Sequence, residues 1–417
     1  MQYRTMCVVR ITLLLGGILC VEAAFAKTDS GVFKLEEVIE LAMERNPVVA
    51  GAAATVKQAR GERVIAGAYP NPSITGGLGP GRTREALGDV RFLDRDVSID
   101  QPLEWPGMRK ARQQAAEAGL AGAAAALDEA RLIVLADVKV AFYQLLLAQR
   151  DLELTMQTLT LAQDLYRSIQ ARVDAGQARP FEAIKANVEV QKMSKDLSRA
   201  ENTLVAARVK LDRLTSGGLG ADFTIQGDFE SSRRPLNRQD LITYALEQHP
   251  TLRRLGKLSE RAEHSITQER QSVIPSVTVS GLFRQEAAET AYLGQLSVPL
   301  PLWYRRQGHI AAAIAAKERT EADRVRAQNE LVTAITEHAQ EVRTASQQID
   351  VFEKGLLKQA EEALRIARIS FQQGAAGILD LIDAQRVYRQ MLLEYAEARA
   401  ALSIALARLE RWTGALR

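Results

Sequence analysis

The sequence contains an internal duplication, and this repeat constrains the fold more than any other feature. Asn46-Pro47 ends an amphipathic stretch and recurs as His249-Pro250, 203 residues later. Pro72-Ser73-Ile74-Thr75 recurs as Pro275-Ser276-Val277-Thr278 at the same offset, whereas later matches drift to an offset of 198. The drift indicates one duplicated unit with short loop deletions. The predicted units are a first repeat at 27–217, a linker at 218–234 and a second repeat at 235–417.

A heptad seam runs through the closing helix of each copy in one register. One seam position holds mainly large apolar residues, and the position three residues later holds mostly alanine. Large and small residues that alternate in this way let neighbouring helices approach closely. The pattern predicts long antiparallel helical hairpins. The first position is occupied by Leu381, Tyr388, Tyr395, Leu402 and Leu409 in the second copy, and by Ala183, Val190, Leu197, Leu204 and Leu211 in the first.

Proline spacing predicts the lengths of these helices, because all twelve prolines fall outside two long stretches of the chain. A helix over 109–172 would be about 95 Å long at ~1.5 Å per residue, and one over 307–371 would be similar. Gly176 and Gly374 are expected to end them, each followed by a returning helix of about half the length. Two half-length helices stacked end to end would then match one long helix.

Short stretches of alternating polar and apolar residues lie between the helices of each copy. They cover 73–78 and 90–101 in the first copy, and 276–283 and 292–298 in the second. Four strands do not close a barrel, and an open edge in lipid leaves backbone groups unpaired, so membrane insertion requires oligomerisation. Two copies would supply eight strands and three would supply twelve, and both numbers close. The alternative is a soluble hairpin that caps a coiled coil.

The first residues have the features of an export signal. Arg4 precedes an apolar stretch at 8–19 that contains Arg10, and Ala24-Phe25-Ala26 provides a small-x-small cleavage site. We predict a signal peptide at 1–26. No later segment offers the roughly 18 uninterrupted apolar residues of a transmembrane helix, so a membrane part would consist of strands.

The remaining composition excludes several classes of function. Both cysteines, Cys7 and Cys20, lie in the signal, so the mature chain has no thiol for a disulfide or a metal site. Leu19 disfavours lipidation of Cys20, because lipoprotein signals require a small residue there. The 54 basic and 51 acidic residues nearly cancel, which disfavours a nucleic-acid partner. The histidines are isolated and no glycine-rich phosphate loop precedes a helix, so we expect no enzyme activity, cofactor or metal site.

This layout resembles the TolC family of outer-membrane efflux proteins over nearly the whole mature length. The segments 101–109 (QPLEWPGMR) and 301–308 (PLWYRRQG) resemble strand-to-helix junctions of the branch associated with cobalt, zinc, cadmium and copper efflux. Met108 departs from that branch, which commonly has lysine there. The junction residues of interest are Trp105, Pro106, Gly107, Pro301, Trp303 and Gly308.

The resemblance implies a mainly α fold with a small transmembrane β part. Three protomers would form a twelve-stranded β-barrel in the outer membrane and a long helical α-barrel in the periplasm. It also implies a periplasmic adaptor of the membrane fusion type and an inner-membrane RND pump as partners. A chain with two hairpins and membrane-type strands fits this duct better than the alternative, a periplasmic coiled-coil adaptor or scaffold. The cargo stays open between metal cations, drugs and polypeptides of type I secretion.

The helix turns are the candidate functional site. In the family, a second-copy run of Leu or Ile followed by Asp-x-x-Asp-Ala carries the carboxylates that constrict the periplasmic entrance, and Asp380 and Asp383 occupy these positions. Glu182 matches Asp380 in the first copy. Ala375 and Ala376 stand where the family has an arginine, which weakens any inherited salt-bridge lock. Ordinary solvated carboxylates are the alternative interpretation. The residues expected to face the adaptor or pump are Gly176, Gly374, Arg172 and Phe371.

Overall fold

The computed structural model describes residues 31–85, 88–230, 237–286 and 289–414. The predicted signal peptide lies outside these residues. The first copy contains β1 (Val32–Phe33), α1 (Leu35–Arg45), α2 (Pro47–Gly67), β2 (Ser73–Glu85), β3 (Gly88–Leu103), α3 (Pro106–Asp174) and α4 (Pro180–Leu214). The rest of the chain contains β4 (Thr224–Ile225), α5 (Arg238–Gln248), α6 (Pro250–Gln271), β5 (Val277–Glu286), β6 (Glu289–Ser297), α7 (Gln307–Val351), a π-helical turn (Phe352–Leu356), α8 (Leu357–Gln372) and α9 (Ile378–Thr413).

Helix α3 confirms the prediction of a long helix in the first copy. It has 69 residues, which corresponds to about 100 Å at ~1.5 Å per residue. Pro106 occupies its first turn, where a missing N–H costs nothing. α3 is the one helix in the described part of the chain that is long and apolar enough to cross a membrane, but 61% of its most apolar 18-residue window is buried within the fold. That burial is typical of a core helix.

The second long helix differs from the prediction of one continuous helix over 307–371. It begins at Gln307 as expected, but a π-helical turn separates α7 from α8. Gly355 lies in this turn with non-helical angles, φ 158° and ψ −22°. The ring of Phe352 packs 5.9 Å from that of Tyr395, whose hydroxyl donates a hydrogen bond to Glu353 at 3.0 Å. Such an interruption of a helix forms readily at a glycine, because glycine stabilises a regular helix poorly.

Half-length helices stack end to end beside α3, as predicted. Asn46 lies between the end of α4 and the start of α2 and is buried. Its side-chain nitrogen donates to the carbonyl of Leu214 at 2.8 Å, and its side-chain oxygen accepts from the N–H of Val48 at 2.9 Å. One side chain therefore caps α2 and joins it to α4.

The second copy repeats this joint with a different residue. His249 is also buried, and its Nδ1 accepts from the N–H of Thr251 at 3.2 Å. Because Nδ1 accepts, Nε2 carries the proton and donates to the carbonyl of Arg411 at 3.1 Å. α9 and α6 are thus joined as α4 and α2 are. Burial lowers the pKa of His249 below its usual 6.5, which keeps the ring in this neutral form.

The helices form a layer that is four helices wide. In the half next to the strands the order is α2, α3, α6, α7, and in the half next to the turns it is α4, α3, α9, then α7 and α8. α3 therefore lies inside the layer along its whole length, which explains its many buried residues. α2 and α4 form one edge of the layer, and α7 and α8 form the other.

A segment within the predicted linker crosses the middle of this layer. β4 pairs with β1 in a two-residue parallel ladder, which the sequence did not predict. Phe223 and Phe229 are buried there, the latter with its ring 6.5 Å from that of Tyr143 in α3. Burial and the neighbouring carboxylate of Glu230 raise the pKa of Tyr143. The boundaries of the repeats and of the linker stay a prediction.

The four predicted strands form one antiparallel sheet in the order β2-β3-β5-β6. Both hairpins extend further than predicted, because β2 continues to Glu85 and β5 to Glu286. The register places Ile74 opposite Ile99, Val97 opposite Phe283, and Val279 opposite Leu296. β2 and β6 are the two edges of the sheet.

Candidate functional site

The two helix turns at the end remote from the strands have the same geometry, as predicted. Gly176 has φ 73° and donates its N–H to the carbonyl of Val173 at 2.9 Å. Gly374 has φ 74° and donates to the carbonyl of Phe371 at 3.1 Å. A left-handed glycine that ends a helix satisfies its last carbonyls and reverses the chain tightly.

The structure brings the two turns into contact. The guanidinium of Arg172 lies 5.6 Å from the ring centre of Phe371, a cation–π contact between the copies. A small buried cluster next to it contains residues from both hairpins. Its buried members are Ile169, Ala183, Ala186 and Ile378. The turns, which we call the tip, therefore form one surface rather than two independent loops.

Asp380 has a structural role that the sequence analysis missed. Its carboxylate accepts a hydrogen bond from the N–H of Gly377 at 3.0 Å, at the start of α9. An acidic residue in the first turn also complements the positive end of the helix dipole. The side chain is exposed at the tip. The spacing Gly-x-x-Asp before an apolar helix was the available signal for this role.

Asp383 and Glu182 lie close to the same turn. Asp383 forms an ion pair with Arg386 within α9, and both side chains are about 60% exposed. Such an exposed pair contributes little stability. Glu182 is half-buried in the first turn of α4. Within one protomer, Asp380 and Asp383 thus bind different partners, although both belong to the same helix start.

Arg389 links the two hairpins, and nothing in the sequence marked it. Its guanidinium reaches from α9 to Thr155 of α3 at 3.3 Å and to the sulfur of Met193 of α4 at 3.5 Å. The carboxylate of Asp196 lies 3.6 Å away. Heptad spacing identified the seam but not the neighbour across it. Arg389 therefore fastens the second hairpin to the first above the tip.

The first strand-to-helix junction is compact. Trp105 precedes α3 as its N-cap, Pro106 starts the helix, and the exposed indole is at the end of β3. Gly107 lies against α6, since a Cβ atom there would be 2.6 Å from Oε1 of Gln271. Glycine therefore leaves room for the end of the Gln271 side chain at this point.

Two arginines that the sequence analysis did not select hold this junction. Arg109 donates to the carbonyl of Gly67 and stacks 4.0 Å from the ring centre of Tyr69. Arg112 forms a bidentate pair with Glu104 at 2.8 and 2.9 Å. The hydrogen bond to this carboxylate raises the pKa of Arg112. Bidentate geometry fixes the direction in which the chain leaves the sheet.

The second strand-to-helix junction is less compact than the first. Pro301 and Trp303 lie in the loop between β6 and α7, and Trp303 is 90% exposed. Arg306 precedes α7 with φ 59° and pairs with Glu269 at 2.6 Å. Gly308 allows the hydroxyl of Tyr304 to approach, since a Cβ atom would be 3.1 Å from it. The motif match predicted similar junctions, but the loop here is longer.

The sheet has one apolar and one polar face. In β2 and β3, the side chains on the apolar face are the more exposed ones, whereas in β6 the side chains on both faces are exposed. The apolar face includes Ile74, Leu78, Leu93, Val97, Ile99, Leu103, Val279, Tyr292 and Leu296. The opposite face is mainly polar and carries Ser98, Ser280 and three carboxylates, Asp94, Asp96 and Asp100, together with Leu282 and Leu293. Exposed apolar surface of this extent marks contact with a membrane or another protein.

Within the described part of the chain, no group of three or more His, Asp or Glu side chains is arranged to hold a metal ion. The features that the structure does show at the two ends of the molecule are the exposed carboxylates and contacts of the tip and the two faces of the sheet.

Comparison with known proteins agrees with this geometry. The sequence profile described as "Outer membrane efflux protein" matches residues 38–217 and 241–415. The chain is 26% identical over 377 residues to the cobalt-zinc-cadmium resistance protein CzcC of Cupriavidus metallidurans, covering 89% of this chain and 87% of that protein. It is 23% identical over 411 residues to the pyoverdine export outer membrane protein OpmQ of Pseudomonas aeruginosa, covering 92% and 84%.

A solved structure confirms the fold. The crystal structure of CusC, described as forming a transmembrane channel, superimposes with a TM-score of 0.76 at 16% identity, covering 91% of both chains. These similar proteins are efflux proteins and channels rather than enzymes. The expected duplicated, mainly α architecture with long helices and an outer-membrane location is confirmed. The chain belongs to the outer membrane efflux protein family.

Proposed function

We propose that this chain is one protomer of a trimeric, passive duct that lets metal cations leave the periplasm through the outer membrane. The observation that carries the proposal is the four-stranded sheet with an exposed apolar face, a polar face and two edges. Such a sheet is stable in lipid only if copies join edge to edge into a closed barrel.

Three copies fit a duct better than two. A barrel of eight strands is just filled by its own inward side chains, whereas twelve strands leave an aqueous lumen. The polar face with its serines and aspartates would line that lumen, and the apolar face would contact lipid. Each protomer contributes a layer that is four helices wide. Three protomers would therefore continue the barrel as a tunnel of twelve helices.

The edges of the helical layer carry apolar residues at matching heights. Ile184 on α4 and Ile366 on α8 each lie eight residues from the turn glycine of their hairpin. Their exposed fractions are 62% and 52%, high for isoleucine. Because α4 and α8 lie on opposite edges, these residues would meet between neighbouring protomers. Apolar contact there would drive closure of the tunnel.

The tip would form the periplasmic gate. In a trimer, Asp380, Asp383 and Glu182 would each occur three times around the axis. This ring of carboxylates would attract cations and repel anions. Gly176, Gly374, Arg172 and Phe371 would present the surface that an adaptor or pump contacts. Trp105 and Trp303, with their junction residues, would lie at the membrane boundary, where indole rings are favoured.

The proposed partners are a periplasmic adaptor and an inner-membrane RND pump, and the chain itself has no catalytic role or cofactor. Metal cations are favoured as cargo because CzcC is named a cobalt-zinc-cadmium resistance protein. The similarity to a pyoverdine export protein supports a second candidate, a small organic chelator. A duct with a ring of carboxylates suits the cation better, since it opposes an anionic cargo.

Two measurements test this proposal. In planar lipid bilayers, the purified protein is expected to give stepwise, cation-selective conductance. In cells, deletion of the gene is expected to lower tolerance to cobalt, zinc or cadmium, and the wild-type chain should restore it. Absence of conductance would reject the duct. If metal tolerance is unchanged but export of the chelator is impaired, the cargo is the second candidate, the small organic chelator.

A further inference from the structure

Among the side chains that the structure describes, three arginines lie on the apolar face of the sheet, where uncharged side chains are expected. Strand alternation places Arg91 and Arg95 on the same face as Val97. Arg82 of β2 lies directly opposite Arg91, and Arg95 lies opposite Leu78. All three arginines are exposed. We call them the arginine patch.

Between residues 91 and 100, β3 places its arginines and its aspartates on opposite faces of the sheet. Asp94, Asp96 and Asp100 alternate with the arginines along β3 and therefore point to the opposite face. Among the side chains that the structure describes, none forms an ion pair or hydrogen bond with the arginine patch. The carboxylates thus do not neutralise the arginines within one protomer.

The patch lies at one end of the apolar face. Leu103 ends β3 next to the helices. At ~3.3 Å per residue, Arg95 is about 26 Å and Arg91 about 40 Å further along the strand. A strand tilt of about 40° reduces these heights to roughly 20 and 30 Å, whereas the apolar band of a membrane barrel is about 25 Å tall. The patch therefore straddles the level of the lipid headgroups on the side remote from the helices.

Like charges directly opposite in a sheet destabilise it, and an exposed guanidinium within lipid costs free energy unless an anion accompanies it. Arg82 and Arg91 would both be stabilised by one phosphate group bound between them. Arginine suits this role, because its planar fork binds phosphate oxygens in a bidentate way and its charge persists at all relevant pH values.

We propose that the arginine patch binds phosphate groups of anionic lipid in the leaflet remote from the helices. The inference rests on the proposed membrane insertion of the sheet. It commits to a lipid headgroup rather than free phosphate, because the patch continues directly into the apolar face that contacts acyl chains. Leu78 and Val97 would contact the lipid tail while Arg91 and Arg95 bind its headgroup.

The test compares lipid binding by the detergent-solubilised full chain in native mass spectrometry, with lipid A, a diphosphorylated glycolipid, as the probe. Wild type is expected to retain lipid A in preference to phosphatidylcholine. Arg91→Gln should weaken binding about fivefold, and the triple variant R82Q/R91Q/R95Q about a hundredfold. Arg284→Gln is the matched control, because Arg284 is an exposed arginine on the polar face of the same sheet. It should bind as wild type does.

Three results would overturn the inference. They are equal binding of lipid A by wild type and Arg91→Gln, equal losses in Arg284→Gln, and competition by millimolar inorganic phosphate that removes all bound lipid. Conductance of the same variants in phosphatidylcholine bilayers separates the two proposals. If wild type conducts but shows no preference for lipid A, the patch is rejected and the duct stands. If wild type neither inserts nor conducts, both are rejected.

Discussion

The two helical hairpins descend from one repeated pattern but differ in continuity and burial. In the first, α3 runs unbroken for 69 residues and has buried residues along its whole length. In the second, a π-helical turn interrupts the long helix, and α8 contains a single buried residue, Ala360. The two turns nevertheless have nearly identical glycine geometry. Duplication thus preserved the turns and the seam but not the surroundings of the long helix.

Position in the layer explains the difference. α3 has neighbours on both sides along its length, whereas α7 and α8 lie at an edge. An interior helix of a single layer buries two opposite sides against its neighbours, while an edge helix buries one side and retains the other for another contact. The first hairpin therefore contributes an interior helix to the layer, and the second packs against it through α9 while its long helix remains at the edge.

Shortening a large side chain of the heptad seam is expected to destabilise the fold equally in both copies. Leu211 of α4 and Leu409 of α9 occupy equivalent seam positions and are both buried. Leu211→Ala and Leu409→Ala should each lower the free energy of unfolding by about 2–5 kcal/mol, through lost burial and the cavity left behind. Circular dichroism during thermal unfolding in detergent measures this, with the exposed Leu379→Ala as the control. A loss below about 1 kcal/mol in only one copy would contradict the shared seam.

The joints between stacked helices should respond differently to pH. Asn46→Ala and His249→Ala should each cost about 1–2 kcal/mol, since each removes a helix cap and a bond to the neighbouring helix. Only His249 titrates. The groups that face it are Glu129 of α3 and Arg411 of α9, and burial is the main cause of its lowered pKa.

The sign of the pH effect follows from that shift. The unfolded chain binds a proton on this histidine near pH 6.5, whereas the folded chain does so only at lower pH. The stability that neutral His249 contributes is therefore complete above pH 6.5 and is lost as pH falls below it. His249→Asn, which copies Asn46, should remove this part of the pH dependence in thermal unfolding. An identical pH profile in wild type and His249→Asn would contradict the assignment.

Removal of Arg389 should loosen the second hairpin without unfolding the first. The ion pair with Asp196 is partly exposed, since each of the two side chains is 22% exposed. Arg389→Ala is therefore expected to lower the free energy of unfolding by only about 1 kcal/mol. The expected effect on conductance is larger. The tip would open more often, so the mean conductance in planar bilayers should rise. Arg386→Ala, which removes an exposed pair within one helix, is the matched control and should change conductance less.

The tip carboxylates should affect selectivity more than stability. Asp380→Asn retains an oxygen that can accept from Gly377, so with Asp383→Asn it removes two charges at little structural cost. The ratio of cation to anion permeability should fall by roughly two- to fivefold, since charges near water interact by about 1 kcal/mol. Reversal potentials in a salt gradient measure this ratio. Glu182→Gln should have a smaller effect, and equal ratios in all variants would reject the gate.

The sequence predicted those parts of the fold that depend on local pattern. Prolines and turn glycines predicted α3 to within a few residues and both turns, because these residue types act on the backbone at their own position. The heptad seam predicted the hairpins. The interruption at Gly355 was missed, since a single glycine within a periodic helix is usually tolerated.

The site was less predictable than the fold. Arg389 and Arg112 act across helices, and which residues meet there depends on the layer order, which spacing does not determine. Asp380 was selected as a pore residue, but its cap role needed only the residues Gly377 to Asp380. The β1–β4 pair has two residues per strand, too short for any periodic signal.

The most direct test of the trimeric duct joins its two proposed edges covalently. The native cysteines, Cys7 and Cys20, precede residue 27, so Ile184→Cys with Ile366→Cys introduces the only thiols beyond the predicted signal. Oxidation in isolated membranes, followed by denaturing electrophoresis, is expected to give covalent trimers, whereas either single variant stays monomeric. Covalent species that end at the dimer, or monomers alone, would contradict closure of three copies through these edges.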